Sequence, residues 1–192
     1  MHGVWRWLCA CVLAWTLVTQ AAIPEVKVTH FPNMAAQIQY FEDSSVVIWH
    51  DAVDGIVYRS ADEGKSWAPI KGPVQGEAHL FVLHPYDKTQ AYILTRSNQH
   101  WRTSNRGETW QSFSTPHPPT TLKAMPLDFH PTHHDWILFT GQACTVNLFR
   151  KVCHDVAYYT TDGFISDAHP LLDRVAHGDW GKLRPEGAVA VA

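Results

Sequence analysis

Two stretches of this sequence decide the fold: SADEGKSW at Ser60–Trp67 and TSNRGETW at Thr103–Trp110, which begin 43 residues apart. Both fit the pattern hydroxyl-x-Asp/Asn-x-Gly-x-x-Trp. We expect two hairpin turns in which the Asp or Asn side chain accepts backbone N–H groups one or two residues ahead. Gly supplies the positive φ, Trp anchors the next strand, and the hydroxyl bonds back across the turn. The residues that carry this prediction are Ser60, Asp62, Gly64, Trp67, Thr103, Asn105, Gly107 and Trp110.

Other landmarks recur at nearly the same interval. His84-Pro85 and His130-Pro131 lie 46 residues apart, and each follows a short apolar segment. Short, partly alternating segments separated by turn residues predict strands, and they fall into three copies of a four-strand unit: 37–70, 79–114 and 124 onward. A repeat of about 40–45 residues with four strands is typical of a propeller blade. The predicted fold class is therefore all-β, a partial β-propeller of about three four-stranded blades after a signal peptide.

The third copy of the turn is degenerate. Thr160 and Asp162 keep the hydroxyl and the acid, but Phe164 stands at the position aligned with Gly, and no Trp follows. We interpret this segment as the same kind of turn, placed at a longer spacing by an insertion around Cys144 and Cys153. We place the last strand of this blade after Phe164.

The first residues are typical of a secretory signal peptide. An apolar run, WLCACVLAWTLV at Trp7–Val18, follows a short basic start and precedes small residues, and it is too short to span a bilayer. An uncleaved anchor is the alternative. We therefore expect residues 1–22 to be a signal peptide, 23–172 to form the blades and 173–192 to be a divergent or disordered tail.

The cysteines follow from that leader. Its removal takes away Cys9 and Cys11 and leaves Cys144 and Cys153 as a single pair in an oxidising compartment. We predict a disulfide between them, worth roughly 2.5–3 kcal/mol for so short a loop in the chain-entropy model. A metal site is the alternative, but only His154 adjoins the pair, which is short of a four-ligand set.

Composition excludes several classes of partner. The net charge of −3 and the pI near 6.5 imply no basic surface for nucleic acid. No membrane span is predicted after the leader. The densest histidine cluster, HPTHHD at His130–Asp135, lacks the helical His-Glu-x-x-His spacing, so a solvated loop is favoured over a zinc site. We predict no metal and no cofactor.

Longer stretches carry a family resemblance. Turns of this kind, called Asp boxes, resemble those of sialidases, some glycoside hydrolases and sorting receptors. VKVTHF at Val26–Phe31 followed by YFEDS at Tyr40–Ser44 is similar to the opening of fungal vacuolar sorting receptors of the sortilin family. The segments TGQAC at Thr140–Cys144 and CHDVAYYTTDGF at Cys153–Phe164 are similar to that family's third blade. The resemblance covers roughly residues 26–172.

The resemblance implies a function and a place in the cell. The family's luminal domain is a ten-bladed propeller followed by cysteine-rich modules, a membrane span and a tail, so a chain with three blades is expected to be a truncated product or a short paralogue. It implies the luminal, cargo-binding part of a receptor that carries soluble vacuolar hydrolases or peptide cargo from the Golgi to the late endosome and vacuole. A truncated product would be secreted. No cargo-binding residue is predicted.

The competing class is a secreted Asp-box enzyme of sialidase or glycoside-hydrolase type. Sialidases need an arginine triad, a Tyr nucleophile and an acid, usually with a Phe/Tyr-Arg-Ile-Pro motif. FRKV at Phe149–Val152 is the closest match and lacks both Ile and Pro, while Arg59, Arg96 and Arg102 lie in predicted strands without a common centre. We predict that the chain is not an enzyme and has no catalytic residue.

The histidines suggest a response to pH. Thirteen are present, twelve after removal of the leader, and their ordinary pKa of about 6.5 falls between a neutral Golgi and an acidic endosome. The simpler alternative is that most are exposed and merely titrate. Our hypothesis is that their protonation weakens cargo binding.

Overall fold

The structure is a computed structural model that describes residues 26–34, 38–71, 76–148, 150–175, 179–180 and 190–191. The predicted signal peptide, residues 1–22, lies outside the described residues. Within the described ranges every regular element is a β-strand. The all-β fold class is thus confirmed.

Twelve strands form three four-stranded antiparallel sheets in which neighbouring strands follow chain order. Blade 1 contains β1 (Ile38–Tyr40), β2 (Val47–Asp51), β3 (Ile56–Ser60) and β4 (Ala68–Pro69). Blade 2 contains β5 (Leu80–Leu83), β6 (Ala91–Leu94), β7 (Gln99–Thr103) and β8 (Gln111–Ser114). Blade 3 contains β9 (Leu127–Phe129), β10 (Ile137–Asn147), β11 (Arg150–Thr160) and β12 (His169–Asp173). The last strand of the third unit, which the sequence placed after Phe164, is present as β12.

A short ladder follows the blades. β13 (Asp179–Trp180) pairs antiparallel with β14 (Ala190–Val191), inside the segment 173–192 that the sequence predicted to be a divergent or disordered tail. The pattern of the sequence did not indicate these two strands. Two-residue strands are too short to show the alternation on which such predictions rest.

Blade 2 packs against blade 1 on one face and against blade 3 on the other. Successive side chains of its strands point to opposite sides of the sheet and therefore enter different cores. On β6, Ala91 and Ile93 join the core shared with blade 1, whereas Tyr92 and Leu94 join the core shared with blade 3. The first core includes Phe41, Val46, Ile48, Val57, Ile70, Phe81 and Trp101. The second includes Val82, Phe113, Leu127, Phe129, Ile137, Phe139, Val156, Tyr158 and Phe164.

Blade 3 carries a long hairpin. β10 and β11 pair over their full eleven residues, but β9 reaches only Ile137–Phe139 and β12 only Val156–Tyr159. The insertion predicted between Thr140 and Asp155 is therefore an extension of the two central strands. We call residues 143–154 the projecting hairpin. It lies at the end of the blade opposite the Asp-box turn, because β11 begins at the hairpin and ends at the turn.

Candidate functional site

The first Asp-box turn is closed by two side chains. Ser60 Oγ accepts the N–H groups of Asp62 (3.3 Å) and Gly64 (2.8 Å) and donates to Asp62 Oδ1 (2.7 Å). The carboxylate accepts the Ser66 N–H at Oδ1 (2.8 Å) and the Ser66 hydroxyl at Oδ2 (2.6 Å). It thus reaches four residues ahead and not the expected one or two, because the hydroxyl already takes the nearer N–H groups. Trp67 Nε1 donates to the Gly64 carbonyl oxygen (2.9 Å) just before β4.

The second turn repeats this geometry with an amide. Thr103 Oγ1 accepts the Gly107 N–H (3.0 Å) and donates to Asn105 Oδ1 (2.8 Å), which also accepts the Thr109 N–H (2.9 Å). Asn105 Nδ2 donates to Thr109 Oγ1 (2.8 Å), reversing the direction of the bond that Asp62 accepts. Trp110 Nε1 donates to the Gly107 carbonyl oxygen (3.2 Å). Carboxylate and amide serve equally because the facing hydroxyl can donate or accept.

The third, degenerate turn keeps the same bonds. Thr160 Oγ1 accepts the Phe164 N–H (3.1 Å) and donates to Asp162 Oδ1 (2.8 Å). Asp162 Oδ2 accepts the Ser166 N–H (3.0 Å) and hydroxyl (2.6 Å). The structure therefore places all three hydroxyl–acid or hydroxyl–amide pairs in turns of one design. Although burial opposes it, hydrogen bonding from the Ser166 and Thr160 hydroxyls lowers the pKa of Asp162.

Phe164 replaces a glycine without a change of backbone. Its φ is +67°, in the left-handed region that Gly64 (+88°) and Gly107 (+75°) occupy at the aligned position. The nearest glycine has moved one place earlier, to Gly163 (φ +64°). The ring is 3% exposed and stacks on Phe113 of blade 2 with centroids 4.6 Å apart. Burial of an aromatic ring between two blades offsets the cost of that conformation.

One position of the motif escaped the prediction. A hydroxyl residue stands four places after each Asp or Asn, at Ser66, Thr109 and Ser166, and it binds that side chain in every copy. The alignment of the three copies contained the signal, since all three residues are Ser or Thr.

Each turn also forms a backbone hydrogen bond to another loop of its own blade. The residue after the Asp or Asn has a positive φ, and its N–H points to the loop between the first two strands. These bonds run from Glu63 to the Ser45 carbonyl oxygen (2.9 Å), from Arg106 to that of Thr89 (2.9 Å) and from Gly163 to that of Asp135 (2.8 Å).

Arginines join consecutive blades at the turns. Arg59 Nε of blade 1 donates to the Arg106 carbonyl oxygen in the turn of blade 2 (3.0 Å). Arg102 Nη1 of blade 2 donates to the Gly163 carbonyl oxygen in the turn of blade 3 (2.9 Å). Both arginines directly precede the hydroxyl residue of their own turn, and Tyr159 holds that position in blade 3. The two arginines therefore stabilise two different interfaces between consecutive blades.

Two histidines form hydrogen bonds that stabilise the loops between the first two strands of blades 2 and 3. His84 Nδ1 accepts the N–H groups of Tyr86 (3.1 Å) and Asp87 (2.9 Å), and its Nε2 contacts the His134 carbonyl oxygen (2.8 Å). His130 Nδ1 accepts the N–H of His133 (3.0 Å) within the cluster HPTHHD. Burial lowers the pKa of both rings. Among the described residues no group of three His, Cys, Asp or Glu could hold a metal ion.

A groove lies at the opposite end of blades 1 and 2. Its volume is about 560 Å³, and it is lined by the β2–β3 hairpin, the segment before β5 and the residues after β6. The polar side chains around it include Asp54, Glu77, His79 and Arg96, and Arg96 Nε contacts His79 Nδ1 (3.3 Å). Charges of both signs in an open groove suit a polar ligand such as a peptide.

The predicted disulfide is present in the projecting hairpin. Cys144 and Cys153 are directly opposite each other in the β10–β11 ladder, with Cα atoms 4.0 Å apart. Beyond it, Val146, Leu148 and Val152 are exposed. Phe149, in the closest match to the sialidase motif, lies outside the described residues.

The chain is similar in sequence to members of one protein family. The family described as "Sortilin, neurotensin receptor 3" matches residues 55–190. The vacuolar protein sorting/targeting protein 10 of Mycosarcoma maydis is 49% identical over 172 residues, which cover 88% of this chain and 11% of that protein. The protein of the same name from Laccaria bicolor is 42% identical over 151 residues, covering 78% and 10%. The chain thus spans about a tenth of the length of the curated relatives it matches.

A glycoside hydrolase family 74 xyloglucanase from Xanthomonas campestris aligns with 66% of this chain and 19% of its own, at 14% identity and a TM-score of 0.47. Within the described ranges the structure contains no helix with the length and apolar character needed to cross a membrane.

Proposed function

The chain belongs to the sortilin family, and we propose that it forms blades of the luminal, cargo-binding part of a sorting receptor. The cargo in this proposal is a soluble vacuolar hydrolase, or a peptide segment of one, bound in the Golgi and carried toward the late endosome and vacuole. The observation that carries the proposal is the identity to fungal vacuolar protein sorting/targeting proteins across most of the chain.

The use of the polar side chains supports binding rather than catalysis. Asp62, Asn105 and Asp162 are engaged in turn hydrogen bonds, and Arg59 and Arg102 donate to backbone carbonyls of neighbouring blades. An acid, base or nucleophile must face a substrate to act. In our proposal these groups hold the scaffold rigid, and the chain is not an enzyme.

The proposed contact surface is the end of blades 1 and 2 where the β2–β3 hairpin lies. The groove there presents Asp54, Glu77, His79 and Arg96 to a ligand. Burial lowers the pKa of His79, and the Arg96 charge lowers it further, so the neutral form of this ring is favoured. Protonation in acid would place two cations side by side and change the charge that cargo meets.

Binding of the purified chain to a soluble vacuolar hydrolase precursor from the same cells tests this function. We expect saturable binding at pH 7.5 that weakens at pH 5.5, and no hydrolysis of xyloglucan or sialyllactose. Arg96→Glu in the groove should weaken binding, whereas Lys65→Glu at the turn end should not. Absence of saturable binding, or turnover of either glycan, would contradict the proposal.

A further inference from the structure

The tip of the projecting hairpin extends beyond the rest of blade 3. The last backbone bonds at its base are from the Gln142 N–H to the Pro118 carbonyl oxygen and from the Val175 N–H to the Asp155 carbonyl oxygen, 2.8 and 3.0 Å. One residue further out, His154 Nε2 contacts Asp173 Oδ1 of β12 (2.8 Å), and Ala143 packs against the core shared by blades 2 and 3. Past Gln142, no described strand pairs with the outer edge of β10. The outward N–H groups alternate along β10, from Thr140 and Gln142 to positions 144 and 146. An unpaired strand edge is a template for another strand.

Apolar side chains stand exposed near the tip of the projecting hairpin. Val146 is 79% exposed, Leu148 93% and Val152 47%. Val146 and Val152 lie on opposite faces of the ladder and Leu148 lies at its tip, and none of the three contributes to either core. Apolar surface held away from a core is typical of an interaction site.

The charge of the hairpin is opposite to that of the whole chain. Residues 143–154 contain Arg150 and Lys151 and no Asp or Glu, whereas the chain as a whole carries −3. Each face of the ladder pairs one apolar with one basic side chain. Val146 lies opposite Lys151, and Val152 shares the other face with Arg150. A complementary ligand is therefore extended, apolar and acidic.

The disulfide gives this hairpin a fixed shape. Cys144 and Cys153 bridge the two strands below the tip, where packing against the rest of the protein ends. A cross-link that holds a strand edge in place lowers the entropy lost when a ligand binds. The bridge is thus placed where it organises a binding edge and not where it could stabilise the cores.

We propose that the projecting hairpin binds an extended, acidic and apolar segment of a partner polypeptide, which adds as a strand to the outer edge of β10. This site is distinct from the cargo groove between blades 1 and 2. A membrane surface is the less favourable ligand, because two basic residues attract an anionic bilayer only weakly and leave the free backbone edge unused.

Binding of a defined probe tests this site. The probe is a fluorescent eight-residue peptide that alternates glutamate with valine, titrated with the full disulfide-bonded chain and followed by anisotropy. We expect saturable binding that weakens at least tenfold with R150E and K151E together and with Val146→Pro. The proline keeps the apolar surface but removes an outward N–H. Ile165→Ser, at a 73% exposed position in the Asp-box turn of blade 3, is the matched control and should bind as the unmodified chain does.

Three outcomes would overturn the proposal. Equal binding of a peptide with lysine in place of glutamate would remove the charge argument, and full affinity of Val146→Pro would remove strand addition. Binding of phosphatidylserine vesicles with no binding of the peptide would assign the tip to a membrane. Melting temperatures of the charge variants and of the control should equal that of the unmodified chain, because the altered side chains are exposed. That of Val146→Pro should stay close to it, because proline is tolerated on an edge strand where its N–H faces outward.

Discussion

Arg102 of blade 2 reaches the turn of blade 3, where its Nη1 lies 2.9 Å from the carbonyl oxygen of Gly163. The contact repeats, one blade later, the bond from Arg59 to Arg106. The joint thus comes from the same position of the repeat in both cases, one residue before the turn hydroxyl. Consecutive blades are held by a charged donor as well as by their shared apolar core.

Loss of this donor should loosen the joint between blades 2 and 3. Arg102→Ala leaves the Gly163 carbonyl without its charged partner, and we expect a loss of roughly 1–2 kcal/mol in the free energy of unfolding. Urea unfolding measures it. Arg96→Ala, which removes an arginine whose side chain hydrogen-bonds to His79 and to no backbone carbonyl of the next blade among the described residues, is the control and should cost less. Equal losses would mean that the joint contributes nothing specific.

At position 164 we expect the glycine variant to be more stable than the alanine variant, which reverses their usual order. Phe164→Ala removes a buried ring and keeps a Cβ at φ +67°, so we expect a loss of about 3–5 kcal/mol. Phe164→Gly loses the same ring but relieves the left-handed conformation, which is worth about 1 kcal/mol. Thermal unfolding of both variants makes the comparison. A glycine variant less stable than the alanine variant would contradict the backbone argument.

The first Asp box should tolerate an amide and reject an alanine. Asp62→Asn can donate to the Ser66 hydroxyl as Asn105 donates to that of Thr109, whereas Asp62→Ala loses every bond of the carboxylate. We expect the urea midpoint of the first variant to stay near that of the unmodified chain and that of the second to fall. Glu108→Ala, at an exposed position of the second turn, serves as the control. A similar fall for both Asp62 variants would show that the negative charge itself matters.

The carboxylate of Asp62 also makes the stability of the fold depend on pH in acid. Hydrogen bonds from Ser66 and Ser60 lower the pKa of Asp62 below its ordinary 3.8. Its contribution to stability is therefore fully present above 3.8 and is lost as the pH falls through the lowered pKa. Unfolding below pH 4 should be less pH-dependent in Asp62→Asn.

The histidines of the loops should make the blades less stable in mild acid. Burial lowers the pKa of His84 and His130 from 6.5, so their neutral forms stabilise the fold above that pH and the contribution is lost as pH falls. Protonation at Nδ1 would also displace the backbone N–H groups that this atom accepts. We expect the free energy of unfolding to decrease between pH 7.5 and 5.5. His84→Asn and His130→Asn place a non-titrating acceptor there and should flatten the profile, and exposed His169→Asn should not.

Local chemistry explains what could be predicted from the sequence. The turns at Ser60 and Thr103 combine a hydroxyl, an acid or amide, and a glycine within five residues, so their bonds are short-range and visible in the pattern. The four-strand repeat followed from them, and β12 completed it. The joints made by Arg59 and Arg102 span 47 and 61 residues, and no local pattern indicates which carbonyl an arginine will meet.

The projecting hairpin shows the other limit. In the projecting hairpin, where Ala143 alone of the described residues packs against a core, Val146 of β10 and Val152 of β11 lie on opposite faces, so the two strands do not present one common apolar face. The sequence predicts the cysteine pair, but it predicts only an insertion where the two strands extend. Exposure, which removes the signal, is also what makes this element available to a ligand.

The central claim is that the degenerate third copy builds the same blade as the first two. Amide hydrogen exchange of the full chain tests it at three N–H groups, those of Glu63, Arg106 and Gly163, each of which donates to the neighbouring loop at 2.8–2.9 Å. The account predicts that all three exchange slowly and with similar protection. Rapid exchange at Gly163 beside protected Glu63 and Arg106 would contradict it.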